Sequence, residues 1–300
     1  GRNGTSGAVF LRLGMIDSAE AQGGVTPEPY LAWNGKHASF NDGYFGWSVA
    51  VGDVSDDGYA DIIIGARYDE YTTGLSCSVN ADCDPADNTI RCNTHKVDGV
   101  NVKECSRING GAVYVKMGSE LPLSSLEDWS SFDSFERIYW GGASWDGLGG
   151  FVHTADANGD GIEDVLIASD TGGTVGTARP GTLDVYLGVA GGPPEEIAFR
   201  ELRSIYPEDY VSDRDWLGHG VGVLSDVDGD QVDDYFVYMA RDDHYGHDVG
   251  RPYVVSGAVG ENEEDLDVWY PLDLPIIATG HEFGRSVGIL PDLNGDGNPE

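Results

Sequence analysis

The sequence predicts an all-β fold, a β-propeller assembled from four-stranded blades. Three observations support this prediction. A nine-residue acidic loop occurs four times, starting at residues 53, 156, 226 and 292. Short apolar and β-branched runs flank the loops, as is typical of buried strands. Further apolar runs, separated by glycine-rich turns, follow the loops and complete a recurring unit.

The acidic loops have the composition of a calcium site. Oxygen-bearing side chains stand at positions 1, 3, 5 and 9 of every copy, and position 7 offers its backbone carbonyl. Calcium takes six to eight hard oxygen ligands at about 2.3–2.6 Å. The sequence therefore predicts about four structural calcium ions. The predicted ligands are Asp53, Ser55, Asp57, Tyr59 and Asp61; Asp156, Asn158, Asp160, Ile162 and Asp164; Asp226, Asp228, Asp230, Val232 and Asp234; and Asp292, Asn294, Asp296, Asn298 and Glu300.

An EF-hand is the first alternative for such a loop. That motif requires a bidentate glutamate at position 12 and a helix on each side. Position 12 is Ile64, Ile167 or Val237 in the first three copies. The flanking segments, such as residues 46–52 and 61–65, also have the pattern of strands. Each loop is therefore predicted to connect two strands.

The unit around each loop has more parts than the loop. A Phe-Gly or Leu-Gly pair opens it, at residues 45–46, 148–149, 217–218 and 283–284. Third strands are predicted at 111–116, 181–187 and 252–256, and fourth strands at 138–140 and 275–278. The predicted divisions are a partial blade at 1–40, blades at 41–143, 144–212 and 213–280, and a partial blade at 281–300.

These residues resemble the FG-GAP repeat. Residues 45–50 read Phe-Gly-Trp-Ser-Val-Ala, an acidic loop follows, and the next apolar strand ends in Gly65-Ala66. The resemblance implies the seven-bladed propeller of integrin alpha subunits, with calcium loops on the lower face and ligands bound on the upper face. The copies at 156 and 226 match the pattern less well, because Ala168-Ser169 and Met239-Ala240 replace Gly-Ala. In the fourth copy, Glu300 replaces the final aspartate.

The chain is expected to be a segment of a longer propeller. Residues 7–14 and 29–33 have the pattern of third and fourth strands without the first two, and the sequence ends within an acidic loop. The alternative is that the two ends combine into one blade and close a ring of four blades.

The charge of the chain excludes some partners. The sequence contains 52 acidic and 17 basic residues, and its net charge is −35. Four calcium ions would reduce this charge to about −27. Such an excess argues against nucleic-acid binding and against an anionic membrane surface. No apolar run approaches 18 residues, so no membrane insertion is expected.

All four cysteines lie in one insertion, predicted at residues 69–109. The residues are Cys77, Cys83, Cys92 and Cys105. An even number of cysteines in a long polar loop predicts two disulfides, with three possible pairings. Zinc binding is the alternative, but the spacing contains no Cys-x-x-Cys. Disulfides imply a secreted or cell-surface protein, and Asn3 begins a possible glycosylation sequon.

No catalytic motif is present, so an enzyme is not expected. His244 and His247 form the only histidine cluster, and no nucleophile elbow occurs. Exposed aromatic residues would offer surfaces for sugars; Trp145, Trp216, Tyr245 and Tyr253 are candidates, although blade packing also uses aromatic residues. We expect an extracellular binding or adhesion module for a protein or glycan, with the insertion on the upper face. A self-associating subunit of a surface or filamentous assembly, and a propeller accessory to a glycan- or lipid-degrading enzyme, are the alternatives.

Overall fold

The computed structural model describes residues 7–11, 31–34, 43–84, 86, 89–97, 100–119, 134–172, 181–194, 198–202, 216–224, 226, 232–241, 249–257 and 268–269. These residues form β-strands and a single turn of 3-10 helix, Asn80–Asp82. None of the described residues belongs to a helix with the length and apolar character needed to span a membrane. The all-β prediction is confirmed.

The part of the chain that the structure describes forms 17 strands. They are β1 (Ala8–Leu11), β2 (Leu31–Asn34), β3 (Phe45–Gly52), β4 (Asp61–Ala66), β5 (Tyr71–Ser76), β6 (Arg91–Val97), β7 (Val100–Arg107), β8 (Ala112–Lys116), β9 (Arg137–Trp140), β10 (Leu148–Ala155), β11 (Asp164–Ser169), β12 (Thr182–Tyr186), β13 (Ala198–Leu202), β14 (Leu217–Leu224), β15 (Asp234–Met239), β16 (Arg251–Val255) and β17 (Val268–Trp269).

Three antiparallel four-stranded sheets form the body of the structure. Their strand orders are β3-β4-β8-β9, β10-β11-β12-β13 and β14-β15-β16-β17. β1 pairs with β2, and the insertion forms its own sheet in the order β5-β7-β6. β10, the first strand of the second sheet, lies next to the first strands of the other two sheets, β3 and β14. A closed propeller ring and its number of blades stay predictions.

Each second strand is buried on both of its faces, which explains its continuous apolar sequence. On β4, Ile62 and Ile64 pack against Trp33 and the β1–β2 pair. Ile63, on the opposite face, packs against Val165 of the next sheet. The sheets therefore stack face to face, and alternate residues of each strand fill the two neighbouring cores.

The Phe-Gly and Leu-Gly pairs form the same backbone irregularity in all three sheets. Gly46, Gly149 and Gly218 have φ angles of 79°, 80° and 79°. At each one the register of the first strand shifts relative to the second strand. Glycine adopts a positive φ without steric cost, and this conformation is typical of a bulge. The pair is thus a structural signal that begins each sheet.

A second recurring glycine fixes how adjacent sheets approach each other. Gly111 and Gly181 stand before the third strands β8 and β12, and each forms a parallel bridge to the first residue of the next sheet, Leu148 or Leu217. A Cβ atom on Gly111 would lie 2.2 Å from the backbone oxygen of Leu148. Gly7, before β1, would meet the backbone oxygen of Phe45 at the same distance. β1 therefore occupies the place of a third strand, as predicted.

Substitution of Gly111 by alanine is expected to destabilise the fold by about 2–3 kcal/mol. The new Cβ would add a left-handed backbone penalty to a clash with the Leu148 backbone. Chemical denaturation would measure the change. Gly74→Ala is the matched control, because Gly74 has a φ of 71° and open space around it. It should cost only about 1 kcal/mol. Equal losses from the two variants would contradict the close approach between sheets.

The third sheet has a fourth strand, β17 (Val268–Trp269), which pairs with β16. The sequence predicts a fourth strand at residues 275–278. Those residues, together with 281–300, lie outside the described part of the chain. Both candidate segments are short and apolar, so the sequence pattern alone does not distinguish them.

Candidate functional site

The first acidic loop joins β3 to β4 and is closed by its own carboxylates. The Asp53 carboxylate accepts hydrogen bonds from the backbone amides of Asp57 at 3.1 Å and Gly58 at 2.9 Å. The Asp57 carboxylate accepts one from the amide of Tyr59 at 2.9 Å. Gly58 has a φ of 85°, which explains the glycine at position 6. The loop is a compact turn that gathers its oxygen-bearing side chains.

The second acidic loop, between β10 and β11, repeats this geometry. Asp156 accepts hydrogen bonds from the amides of Asp160 at 3.1 Å and Gly161 at 2.9 Å. Asp160 accepts one from the amide of Ile162 at 2.8 Å and donates its own amide to Asn158 Oδ1 at 2.9 Å. The repeated pattern shows that these two loops are structural equivalents.

The last aspartate of each loop has a different environment. Asp61, Asp164 and Asp234 are fully buried, at 0% exposure. Asp164 accepts hydrogen bonds from the amides of Ala157 at 2.9 Å and Gly188 at 2.8 Å. Equivalent bonds run from Val54 and Gly118 to Asp61, and from Gly257 to Asp234. Position 9 therefore ties the loop to the residues that follow the third strand, a role that sequence reasoning missed.

Burial makes the ionised form of these aspartates costly. It raises the pKa of Asp164 to about 7, and the neighbouring Asp160 and Asp156 carboxylates act in the same direction, while the two backbone hydrogen bonds oppose the change. Burial also raises the pKa of Asp61. A positive charge near the loop would favour the ionised carboxylates. The electrostatics of the loop thus suit a cation.

The donor set of the two described loops fits a hard cation. Every side-chain donor at positions 1, 3, 5 and 9 is an oxygen, and each carboxylate oxygen that accepts one amide retains a second lone pair. The carboxylates of neither loop bring three ligand atoms within 4.8 Å of one another. The position-9 carboxylate instead faces the backbone amides. The carboxylates at positions 1 and 5 accept amides from within the loop itself.

The third predicted loop is described only in part. Asp226, Val232 and Asp234 lie within the described residues, and burial raises the pKa of the adjacent Asp233. Asp228 and Asp230 lie outside them. The whole fourth loop, residues 292–300, also lies outside, as does Asn3.

A turn of the second sheet covers the first acidic loop. The amide of Val189 donates to the carbonyl of Val54 at 3.1 Å, and the amide of Gly191 donates to the carbonyl of Ser55 at 2.7 Å. The Ser55 side chain is buried in consequence. The loop therefore belongs to the contact between two sheets, so its stability affects more than one hairpin.

The insertion is a disulfide-linked unit at the other end of the first sheet. It occupies the connection between β4 and β8, which lies opposite the β3–β4 loop because the strands are antiparallel. Disulfides join Cys77 to Cys92 and Cys83 to Cys105. The disulfide prediction is confirmed, one of the three pairings is selected, and no thiol remains for zinc.

A polar contact joins the three four-stranded sheets at this same end. Asp170, which follows β11, forms an ion pair with Arg67, which follows β4. Its second partner is His219 of β14, with Nδ1 at 3.2 Å. Arg67 and Asp170 occupy the same position in successive repeats, directly after the second strand, whereas His219 lies on a first strand. The predicted cluster of His244 and His247 lies outside the described residues.

Comparison with known proteins agrees with this geometry. No curated protein matches the chain. A family model, the FG-GAP repeat, matches residues 45–75. The match begins at the Phe45-Gly46 bulge and extends through β3, the first acidic loop and β4 into the insertion. The chain therefore carries an FG-GAP repeat, the first four-stranded sheet being the one in which it is recognised.

Proposed function

We propose that this chain is a calcium-stabilised β-propeller, or a segment of one, that acts outside the cell as a binding or adhesion module for a protein or glycan. FG-GAP repeats are typical of extracellular proteins, and two disulfides suit an oxidising compartment. The observation that carries the proposal is that the acidic loops and the insertion lie at opposite ends of the sheets. Acidic loops occupy one end of the sheets, and a disulfide-linked insertion projects from the other end.

The calcium proposal rests on the loop geometry. In the first loop, the ion would be held by Asp53, Ser55, Asp57 and the Tyr59 carbonyl. Asp61 would hold the loop in shape through the backbone amides that it accepts. The second loop offers the equivalent set, beginning with Asp156. A bound cation supplies positive charge, which would offset the repulsion among the carboxylates. The third and fourth loops are proposed as further sites on their sequence alone.

The end of the sheets that carries the insertion is the proposed binding surface. A loop held on a rigid scaffold is a common binding device. The insertion has its own small core of Cys83, Ile90 and Cys105, and the Ser106 hydroxyl donates to Glu70 at its base, at 2.8 Å. The insertion therefore does not depend on a partner for its shape. We propose a binding role, and no catalytic role, for this chain.

Removal of the insertion tests the proposed function. Thr72 and Ser106 are paired across β5 and β7, so an Asn-Gly turn would replace residues 73–105 with little change at the base. We expect the intact chain to bind a member of a panel of extracellular matrix proteins and glycans in calcium, as measured by biolayer interferometry. A protein ligand should bind the shortened chain at least tenfold more weakly, and the melting temperature should be similar.

Two outcomes would contradict the binding proposal. One is calcium-dependent self-association of the intact chain with no binding in the panel, which would favour an assembly subunit. The other is turnover of a glycan or lipid by the purified chain. Binding that survives removal of the insertion unchanged would reject the insertion as the contact surface.

A further inference from the structure

Three aromatic residues hold a left-handed backbone conformation at the end of the sheets opposite the acidic loops. Tyr44, Trp145 and Trp216 have φ angles of 52°, 70° and 59°. Each lies in the connection that enters a first strand, β3, β10 or β14. Bulky residues rarely adopt this conformation, which glycine or asparagine adopts at lower cost. Strain of this kind concentrates at functional sites.

Core packing does not explain the strain at Tyr44 and Trp145. Their side chains are 40% and 50% exposed, and Trp47, at the start of β3, is 46% exposed. Trp216 differs, because it stacks on His219 with ring centroids 5.4 Å apart and lies 3.7 Å from the Arg241 guanidinium. Two of the three strained residues therefore present aromatic rings to solvent.

The exposed rings are held around Arg67. The ring of Tyr44 meets those of Trp47 and Tyr68 edge to face, at 5.5 and 5.4 Å. The Arg67 guanidinium lies 5.6 Å from the Trp47 ring and 4.9 Å from the Tyr68 ring. Asp170 fixes Arg67 by the ion pair described above. We name Tyr44, Trp47 and Trp145 the aromatic platform.

Trp145 is anchored by its backbone at the same end of the sheets. Its amide donates to the carbonyl of Ile108 at 3.0 Å, and its carbonyl accepts the Thr171 hydroxyl at 2.7 Å. Two residues later, a Cβ on Gly147 would lie 3.7 Å from the Arg67 side chain. Backbone hydrogen bonds thus impose the strained conformation, and the ring stays available.

We propose that the aromatic platform binds neutral sugar rings of a glycan. Aromatic faces match the apolar C–H faces of a sugar, and a tyrosine hydroxyl or tryptophan N–H offers a hydrogen-bonding group at the edge of the ring. Arg67 is neutralised by Asp170, and the net charge of −35 disfavours anionic glycans and nucleic acids. This inference rests on the proposed binding function and assigns it a ligand class.

Titration of tryptophan fluorescence with neutral oligosaccharides of glucose, galactose, mannose and N-acetylglucosamine tests the proposal. We expect saturable binding to at least one series. Trp47→Ala and Trp145→Asn should each weaken it about tenfold. Val51→Ala is the control: Val51 is 60% exposed but lies at the end of β3 that enters the first acidic loop. It should leave sugar binding unchanged.

Trp145→Asn separates binding from folding. Asparagine tolerates the left-handed conformation, so the melting temperature should be equal or higher while sugar binding falls. The platform proposal is overturned if no neutral series binds, if only anionic glycans bind, or if the variants bind as well as the parent chain. Binding of a protein through the insertion would overturn the glycan assignment while leaving the binding module intact.

Discussion

Removal of calcium with EGTA is expected to lower the melting temperature of the chain by about 10 °C. At a free calcium concentration ten times Kd, each site would add about 1.4 kcal/mol to the free energy of unfolding. Four independent sites would add about 6 kcal/mol, comparable to the whole stability of many domains. The reason is electrostatic, since the chain carries 52 acidic residues and the loop carboxylates crowd one another. Differential scanning calorimetry would measure the shift.

A salt control separates specific sites from general screening. Sodium chloride at about 0.5 M shortens the Debye length and weakens surface repulsion throughout the chain. It should recover only a small part of the stability lost in EGTA, because buried carboxylates such as Asp164 are screened much less than exposed ones. Identical melting curves in calcium and EGTA would reject structural calcium. Full recovery by sodium chloride would assign the effect to net charge.

The sequence predicted the sheets well because its signals are local. A Phe-Gly or Leu-Gly pair, an acidic loop and an apolar run follow one another within about 25 residues, and each acts on the backbone beside it. β3 and β4 therefore begin and end close to their predicted limits, 46–52 and 61–65. The sheet of the insertion was not predicted, because its strands carry polar and charged residues and depend on the disulfides for their core.

The site was less predictable because its key contacts are tertiary. The loop pattern identifies Asp164 as a ligand for a cation. The pattern does not identify Gly188, whose amide donates to Asp164, because Gly188 is 24 residues away, beyond β12. The contact of Asp170 with Arg67 and His219 spans three sheets. Of the aromatic candidates, Tyr253 is buried and Trp145 is exposed. Sequence alone gave both residues the same weight, because composition does not show which face of a sheet is covered.

Substitution of Asp164 by alanine is expected to lower the free energy of unfolding by about 4 kcal/mol in calcium. Two buried amides, of Ala157 and Gly188, would lose their acceptor. Each unsatisfied amide costs about 1–3 kcal/mol. The substitution also removes a buried carboxylate, whose pKa is raised by burial. The cost of burying that charge disappears, which offsets part of the loss. Loss of the calcium site would add about 1.4 kcal/mol, so the loss in EGTA should be smaller, about 3 kcal/mol.

Asp160→Ala distinguishes the two functions of the loop. Asp160 is exposed and accepts the amide of Ile162 within the loop, so its removal should cost under about 1 kcal/mol in EGTA. In calcium it should cost about 1.4 kcal/mol more, because the site is lost. The two variants should therefore differ by about 2 kcal/mol in EGTA as well as in calcium, because both lose the same site contribution. Equal stability of the two variants in EGTA would show that position 9 serves only as a cation ligand, and the structural role of its amide bonds would be rejected.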